Sequence, residues 1–203
     1  MKRIVISGLL VFILVLLVTF PARVAYRWFA PADVTLSGLS GSIWSGAAAE
    51  GLASGAYLRD IRWRIKPTSL LSGKLAYEIA ASPVSGSINA NVAIGLTGFL
   101  SLTNLNGSMP LDLVHDVFQQ AGVSGDFSLQ FSELVLQNGL PVFAIGSVTI
   151  SNFFSRDLSA GVLGDFRAEF QTIGGSIAGT VEDVSGVLDI DGVITINPDR
   201  SYS

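Results

Sequence analysis

Asp60-Ile61-Arg62-Trp63-Arg64-Ile65-Lys66-Pro67 alternates between charged and apolar residues, and a period of two is the one at which the side chains of a β-strand point to opposite faces. Ile61, Trp63 and Ile65 therefore share one face, and Arg62, Arg64 and Lys66 share the other. At the helical period of about 3.6 residues the two sets would mix on every side and no buried face would result. The stretch is a strand with an apolar side for packing and a basic side for water or a partner. Pro67 ends it, because proline has no N–H to give to the ladder.

The same alternation recurs along the chain in Leu75/Tyr77/Ile79, Ile88/Ala90/Val92/Ile94, Phe127/Leu129/Phe131, Phe166/Ala168/Phe170 and Leu188/Ile190. Between these runs stand turn-forming dipeptides: Ser72-Gly73, Ser85-Gly86, Asn106-Gly107, Ser124-Gly125, Asn138-Gly139, Gly174-Gly175, Asp191-Gly192 and Pro198-Asp199. Residues 30–203 are thus expected to be all-β, mainly an antiparallel meander forming a curved sheet. The spacing predicts a short central helix over 110–121, with Pro110 at its start, Leu111, Val114, Val117, Phe118 and Ala121 on one side, and Gly122 as a stop. A single turn of helix is expected at Pro67 to Leu71. The flanks of the central helix look alike: Gly41-Ser42-Ile43 followed by Gly55 is matched by Gly125-Asp126-Phe127 followed by Gly139. That similarity suggests a duplicated meander over about 36–106 and 123–203, although the regular beat of hairpins gives the same match without duplication.

Ahead of the strands, Ile4 to Phe20 carries no charge and follows Lys2 and Arg3. A run of this kind is a membrane segment at the short end of what crosses the hydrocarbon layer. A cleaved signal peptide needs small residues just after the run, whereas Ala22-Arg23-Val24-Ala25 places an arginine there. Tyr26, Trp28 and Phe29 instead suit an aromatic belt, with Arg23 and Arg27 snorkelling to the headgroups. The reading is an uncleaved signal anchor: 1–3 a cytoplasmic tail, 4–22 a transmembrane helix, and 30–203 on the far side of the membrane. Arg23 and Arg27 balance Lys2 and Arg3, so the short leading segment decides the orientation.

Composition excludes most chemistry. Residues 1–29 hold four basic and no acidic residues, leaving eight basic and sixteen acidic residues in 30–203, a net of −8. An acidic domain of this kind does not bind nucleic acid through its phosphates. Without cysteine there is no disulfide, thiolate nucleophile or zinc–thiolate centre. The single histidine, His115, stands between Val114 and Asp116 with no nucleophile motif near it, and Lys2, Lys66 and Lys74 follow no phosphate-binding loop. Asp189 and Asp191 share one face of the expected last strand, which is read as its solvated side, since no third ligand accompanies them. No catalytic residue, metal ligand or cofactor is assigned. Arg62, Arg64 and Lys66 are out of character in so acidic a domain. They suit contact with an acidic partner or with lipid headgroups, or a solvated row that blunts an edge strand.

Gly38-Leu39-Ser40-Gly41-Ser42-Ile43-Trp44-Ser45-Gly46, then Leu58 to Trp63, then Lys66-Pro67 with Leu70-Leu71-Ser72-Gly73-Lys74-Leu75, resembles the type II secretion system protein N family in order and approximate spacing. The shared elements are Gly41, Trp44 and Gly46, then Trp63 and Pro67, then Leu71 and Gly73. All are packing and turn residues. Taken by themselves, Gly41 and Gly46 bracket a strand with Ile43 and Trp44 on opposite faces, so one of these two meets the membrane-proximal end or a second layer. Trp63 reads as core, and Leu70 and Leu71 as a plug for the end of the sheet.

The resemblance implies a non-enzymatic accessory protein of the Gram-negative inner membrane, with one membrane helix and a periplasmic β-rich domain. Such a protein would act as a scaffold beside platform or pseudopilus subunits and support the export of folded proteins. The tryptophan-x-φ-x-proline and leucine-leucine-x-glycine elements are also similar, more distantly, to AsmA-like envelope proteins, which implies an alternative: an apolar β-groove that binds or transfers lipid acyl chains. A continuous row of Ile, Leu, Val and Phe on one face would mark that alternative. Family members usually run further than Ser203, so the last strand is expected to end at an open edge or to receive a partner strand.

Overall fold

The computed structural model describes residues 2–30, 34–53, 56–70, 73–83, 85–95, 98–111, 122–158 and 161–197. Two helices lead: α1, Lys2–Val18, and α2, Ala22–Phe29. Strands follow as β1 (Val34–Ser37), β2 (Ser40–Gly41), β3 (Ser45–Ala53) and β4 (Ala56–Ile65), then the single turn α3 (Pro67–Leu70). The chain continues through β5 (Leu75–Pro83), β6 (Ser87–Ile94), β7 (Phe99–Pro110), β8 (Val123–Gln137), β9 (Leu140–Ser155), β10 (Gly164–Ile173), β11 (Ser176–Gly186) and β12 (Asp191–Ile196). Every neighbour pairing is antiparallel, and from β3 onward the spatial order is the chain order. The meander is therefore literal, one sheet built by successive hairpins. β1 and β2 both pair with β3, as two pieces of one edge interrupted at Gly38 and Leu39.

Register carries the alternation read in β4 across the whole sheet. Ile88, Gly107, Leu129, Val148, Ala168 and Val181 are successive cross-strand partners, and so are Leu105, Phe131, Gly146, Phe170, Gly179 and Ile194. On the opposite face run Ser108, Ser128, Thr149, Arg167, Glu182 and Asp191. One face is apolar and the other polar, and among the described residues no large side chain is fully buried. Apolar side chains instead pack sideways. The rings of Phe131 and Phe170 lie 5.9 Å apart across Gly146, and a Cβ at Gly146 would come within 2.6 Å of the Phe131 ring. Phe153 and Phe166 meet edge to face at 5.7 Å in the same way.

Several expectations are corrected here. Asn106-Gly107 and Ser124-Gly125 lie inside β7 and β8, and Asp191-Gly192 opens β12. Their glycines make room for neighbouring side chains or form bulges, a use of glycine that mimics a turn signal in sequence. Leu188 and Ile190 lie in the connection between β11 and β12, where the Asp183 backbone N–H donates to the Ile190 carbonyl. Asp189 is in that connection too, so Asp189 and Asp191 share no strand face. Pro110 closes β7, Leu111 after it is buried, and residues 112–121 of the expected central helix, with His115, fall outside the described residues. The first helix stops at Val18 instead of running through residue 22, because Pro21 opens α2. Among the described residues no helix is long and apolar enough to cross a membrane.

Several bulges lie toward the end of the sheet away from α1, among them those at Ser124/Asp126 and Asp165/Phe166. At Gly164 (φ 142°), Cβ addition would overlap the Ser185 carbonyl oxygen, and Gly164 pairs with Gly186, which has the same φ. An L side chain is strained there whatever the space around it. Gly164→Ala is expected to destabilise the domain by about 2 kcal/mol or more in denaturant unfolding, whereas Gly192→Ala, which meets open space, shifts it by less than about 0.5 kcal/mol.

Candidate functional site

The residues that carry the family resemblance converge where the helices meet the sheet. Ser42, Ile43 and Trp44 are not a strand as expected. They form a tight link between β2 and β3, with the Ser42 hydroxyl accepting from the backbone N–H of Trp44 (3.2 Å) and of Ser45 (3.3 Å). Gly41 takes φ 84° to start the link, and a Cβ there would crowd the Ser45 carbonyl. From this link Trp44 Nε1 donates to the Leu17 carbonyl at 2.8 Å, and the Ile43 N–H donates to Phe20 at 3.1 Å. Both acceptors are last-turn or post-helical carbonyls, and Leu17 O also accepts from the Phe20 N–H at 3.3 Å. Trp44 thus meets the end of α1.

Trp63 supports the same link from below. Its Nε1 donates to the Ser42 carbonyl at 3.1 Å, and Gly46, its ladder partner, leaves room for the indole ring. Arg23 Nε donates to the Leu39 carbonyl at 2.6 Å. Tyr26 donates its hydroxyl proton to Val34 O and accepts from the Leu36 N–H, each at 3.0 Å. Arg23 and Tyr26 therefore bind the edge β1–β2, a use that their places in the sequence did not reveal. Trp28 and Phe29 remain on the outside, 68% and 77% exposed. Below α2 a cavity of about 330 Å³ opens between Ala22, Tyr26, Leu39, Ile61, Trp63 and Ile79.

The remaining candidate residues are dispersed. Pro67 opens α3, Leu70 is exposed and plugs nothing, Gly73 takes a left-handed turn at φ 69°, and Leu71 is outside the described residues. Arg62 and Arg64 are exposed on the polar face, while Lys66 is half-buried and donates its backbone N–H to Ala76. β4 pairs on both sides, with β3 and β5, so these residues guard no sheet edge. Farther along, the polar face holds a hollow of about 610 Å³ bordered by Asn106, Gln130, Ser147, Gln171 and Thr180, with Arg167 paired to Glu169 at 3.0 Å. The hydroxyls and amides here offer hydrogen bonds, but no nucleophile with a base beside it.

The comparisons now bear on this geometry. The family model for protein N of the type II secretion system matches residues 32–203. The chain belongs to the type II secretion system protein N family. Neither the curated proteins nor the solved structures gave a match. A protein N chain is a secretion-system component. The match covers the whole sheet and leaves out α1 and α2.

Two outcomes are expected. Gly46→Ala drives a methyl group into the Trp63 ring and the Ser40 carbonyl. It should lower stability by about 2 kcal/mol or more, against about 1 kcal/mol for Trp63→Phe, which removes one hydrogen bond, both read from chemical unfolding. Burial raises the Tyr77 hydroxyl above its usual pKa. A raised folded-state value favours the neutral form, so Tyr77 contributes stability that is fully present below pH 10, its ordinary value, and is lost as the pH climbs through the folded-state value. Tyr77→Phe should flatten that alkaline decline.

Proposed function

We propose that this chain is a non-catalytic accessory scaffold of the type II secretion system, held at the inner membrane with its sheet in the periplasm, where it supports export of folded proteins. Four points support the reading. α1 is apolar and exposed along its length. The exposed Trp28 and Phe29 suit the headgroup level. The sheet offers a broad polar surface and no catalytic constellation among the described residues. Belonging to the protein N family supplies the process. The observation that carries the scaffold role is the junction, where Trp44 and Ile43 fix the end of α1 to the sheet by direct hydrogen bonds.

A helix of 17 residues spans about 26 Å, less than the roughly 30 Å hydrocarbon layer. The anchor therefore uses the link residues 19–21 or a locally thinned bilayer. Confinement to the membrane raises the effective concentration of the domain beside its neighbours, so weak contacts suffice. The polar face that carries Arg62, Arg64 and Lys66 is its contact face at the membrane end, where platform or pseudopilus subunits and inner-membrane lipid are the partners. No cofactor takes part.

In-cell photocrosslinking tests the proposal, with probes at Asp60, Lys66 and Gln130 on polar positions and at Ile88 and Leu129 on the apolar face. Protein adducts to secretion-platform subunits from the polar positions, with the apolar positions silent, are expected. Phospholipid adducts from Ile88 and Leu129 without protein adducts would overturn the scaffold in favour of acyl-chain binding.

A further inference from the structure

On the polar face of β3–β5, beside the junction, lies a hollow of about 420 Å³ flanked by Arg62 and Arg64. Its floor is small: Ala47 and Ala80 are the ladder partners of Arg62, and Ser45 is a partner of Arg64. A floor of methyl and hydroxymethyl groups leaves the two guanidinium groups space between them and puts no carboxylate under Arg62. Glu78 also lines the hollow and lies beside Arg64 in the ladder, yet the two form no ion pair, and among the described residues neither guanidinium has a hydrogen-bond partner. Two guanidinium groups on one face, free and directed over a cleared floor, suit an anion with several equivalent oxygens, because the planar fork binds phosphate in bidentate fashion.

Position narrows the source of that anion. Ser40, Ser45 and Gly46 line the hollow and flank the link whose Trp44 holds the end of α1. Several of the domain's charges are also sorted along its strands, with Glu78 near the start of β5 and Arg59 and Arg156 toward the far end as exceptions. Arg62, Arg64, Lys66 and Lys74 lie at the end of the sheet where α1 joins, toward the close of β4 and the start of β5. Asp126, Asp157, Asp165, Asp183 and Asp189 lie at or beyond the opposite end, near the starts of β8 and β10 and the ends of β9 and β11. The cationic end and the exposed apolar helix thus lie together, and an anionic bilayer surface meets both at once.

We propose that the Arg62–Arg64 hollow is a phosphate site for the headgroup of a phospholipid in the bilayer that holds α1. This rests on the anchored reading of α1. Occupancy ties the sheet to the membrane surface at a second point, displaced from the helix, and so sets its tilt.

The chain has no cysteine, so Ala80→Cys places a single environment-sensitive fluorophore on the floor of the hollow. The full-length labelled chain is reconstituted in nanodiscs of phosphatidylcholine with phosphatidylglycerol, and in nanodiscs of a galactolipid that lacks phosphate. A change in emission in the phospholipid discs alone is expected. The R62Q/R64Q double variant should weaken the response on the order of tenfold when phosphatidylglycerol is titrated, R62K/R64K should restore it in part, and R156Q should leave it unchanged. Equal emission in both lipids, or no effect of R62Q/R64Q in a variant whose circular dichroism is unchanged, overturns the proposal. A response to inorganic phosphate alone in detergent, or one that requires an added secretion-platform subunit, overturns it by assigning the hollow to a free anion or to an acidic protein. Flotation of the unlabelled chain with vesicles separates the two readings: a chain that does not float refutes the anchor, and one that floats with an unresponsive label refutes the headgroup site.

Discussion

Among the described residues only α2 lies over the sheet, so most of its side chains have no second layer against which to bury, and this constraint governs the domain. Cohesion comes from the ladder and from side chains that lean along their own face. Phe131 and Phe170 can meet only because Gly146 stands between them, and Gly179 admits Phe170 from its other side. Large residues beside glycine on neighbouring strands bury area that isolated side chains on a flat face would leave to water. The abundance of glycine follows from this arrangement, as does the lack of a large, fully buried side chain among the described residues. Such a sheet is held mainly by contacts between adjacent strands, so a defect at one pairing acts locally unless it changes register and turns a strand over.

The junction solves a different problem. A helix tethered by a flexible linker would leave the sheet free to swing, whereas here the end of α1, the link 42–44, and Trp63 form one hydrogen-bonded relay. Each acceptor is a backbone carbonyl at a helix end or a tight turn, where such groups have spare hydrogen-bonding capacity. Glycine at 41 and 46 permits the close approach, and tryptophan supplies both reach and a donor. The motif that identifies the family is thus a device for setting the helix against the sheet. α2 completes it by covering the edge β1–β2 with Arg23 and Tyr26, which leaves that edge with fewer free backbone groups to recruit another strand.

Charge is arranged on the same plan. Five aspartates lie away from the junction and Arg62, Arg64, Lys66 and Lys74 toward it, a partial sorting along the strands that Glu78, Arg59 and Arg156 interrupt. A domain of net negative charge would be repelled from an anionic surface if its charge were uniform; sorting it lets one end approach while the other stays in solution. A scaffold that must hold one orientation beside a membrane gains from that asymmetry without needing any catalytic group.

Strand alternation determined a great deal of this from sequence alone. β4, β5, β6, β8 and β10 follow directly from periods of two, because which face a side chain takes depends only on its parity along an extended chain. Family membership was legible as well, since the motif residues stand in order within three short stretches of sequence. Glycine was the point of failure. Gly107 and Gly125 signal turns by composition, but they lie inside strands because Leu129 on the adjacent strand and the bulge beside Ser151 need the space, and those neighbours exist only once register is set. Likewise the partners of Trp44, Arg23 and Tyr26 are carbonyls distant in the chain, with no side-chain signature to announce them. The sequence determined the strands, the two faces and the lineage, all properties of local order. Tertiary structure alone decided where the helix is gripped, which arginines share a cleared floor, and that β4 is internal to the sheet, because these depend on which segments the register brings side by side.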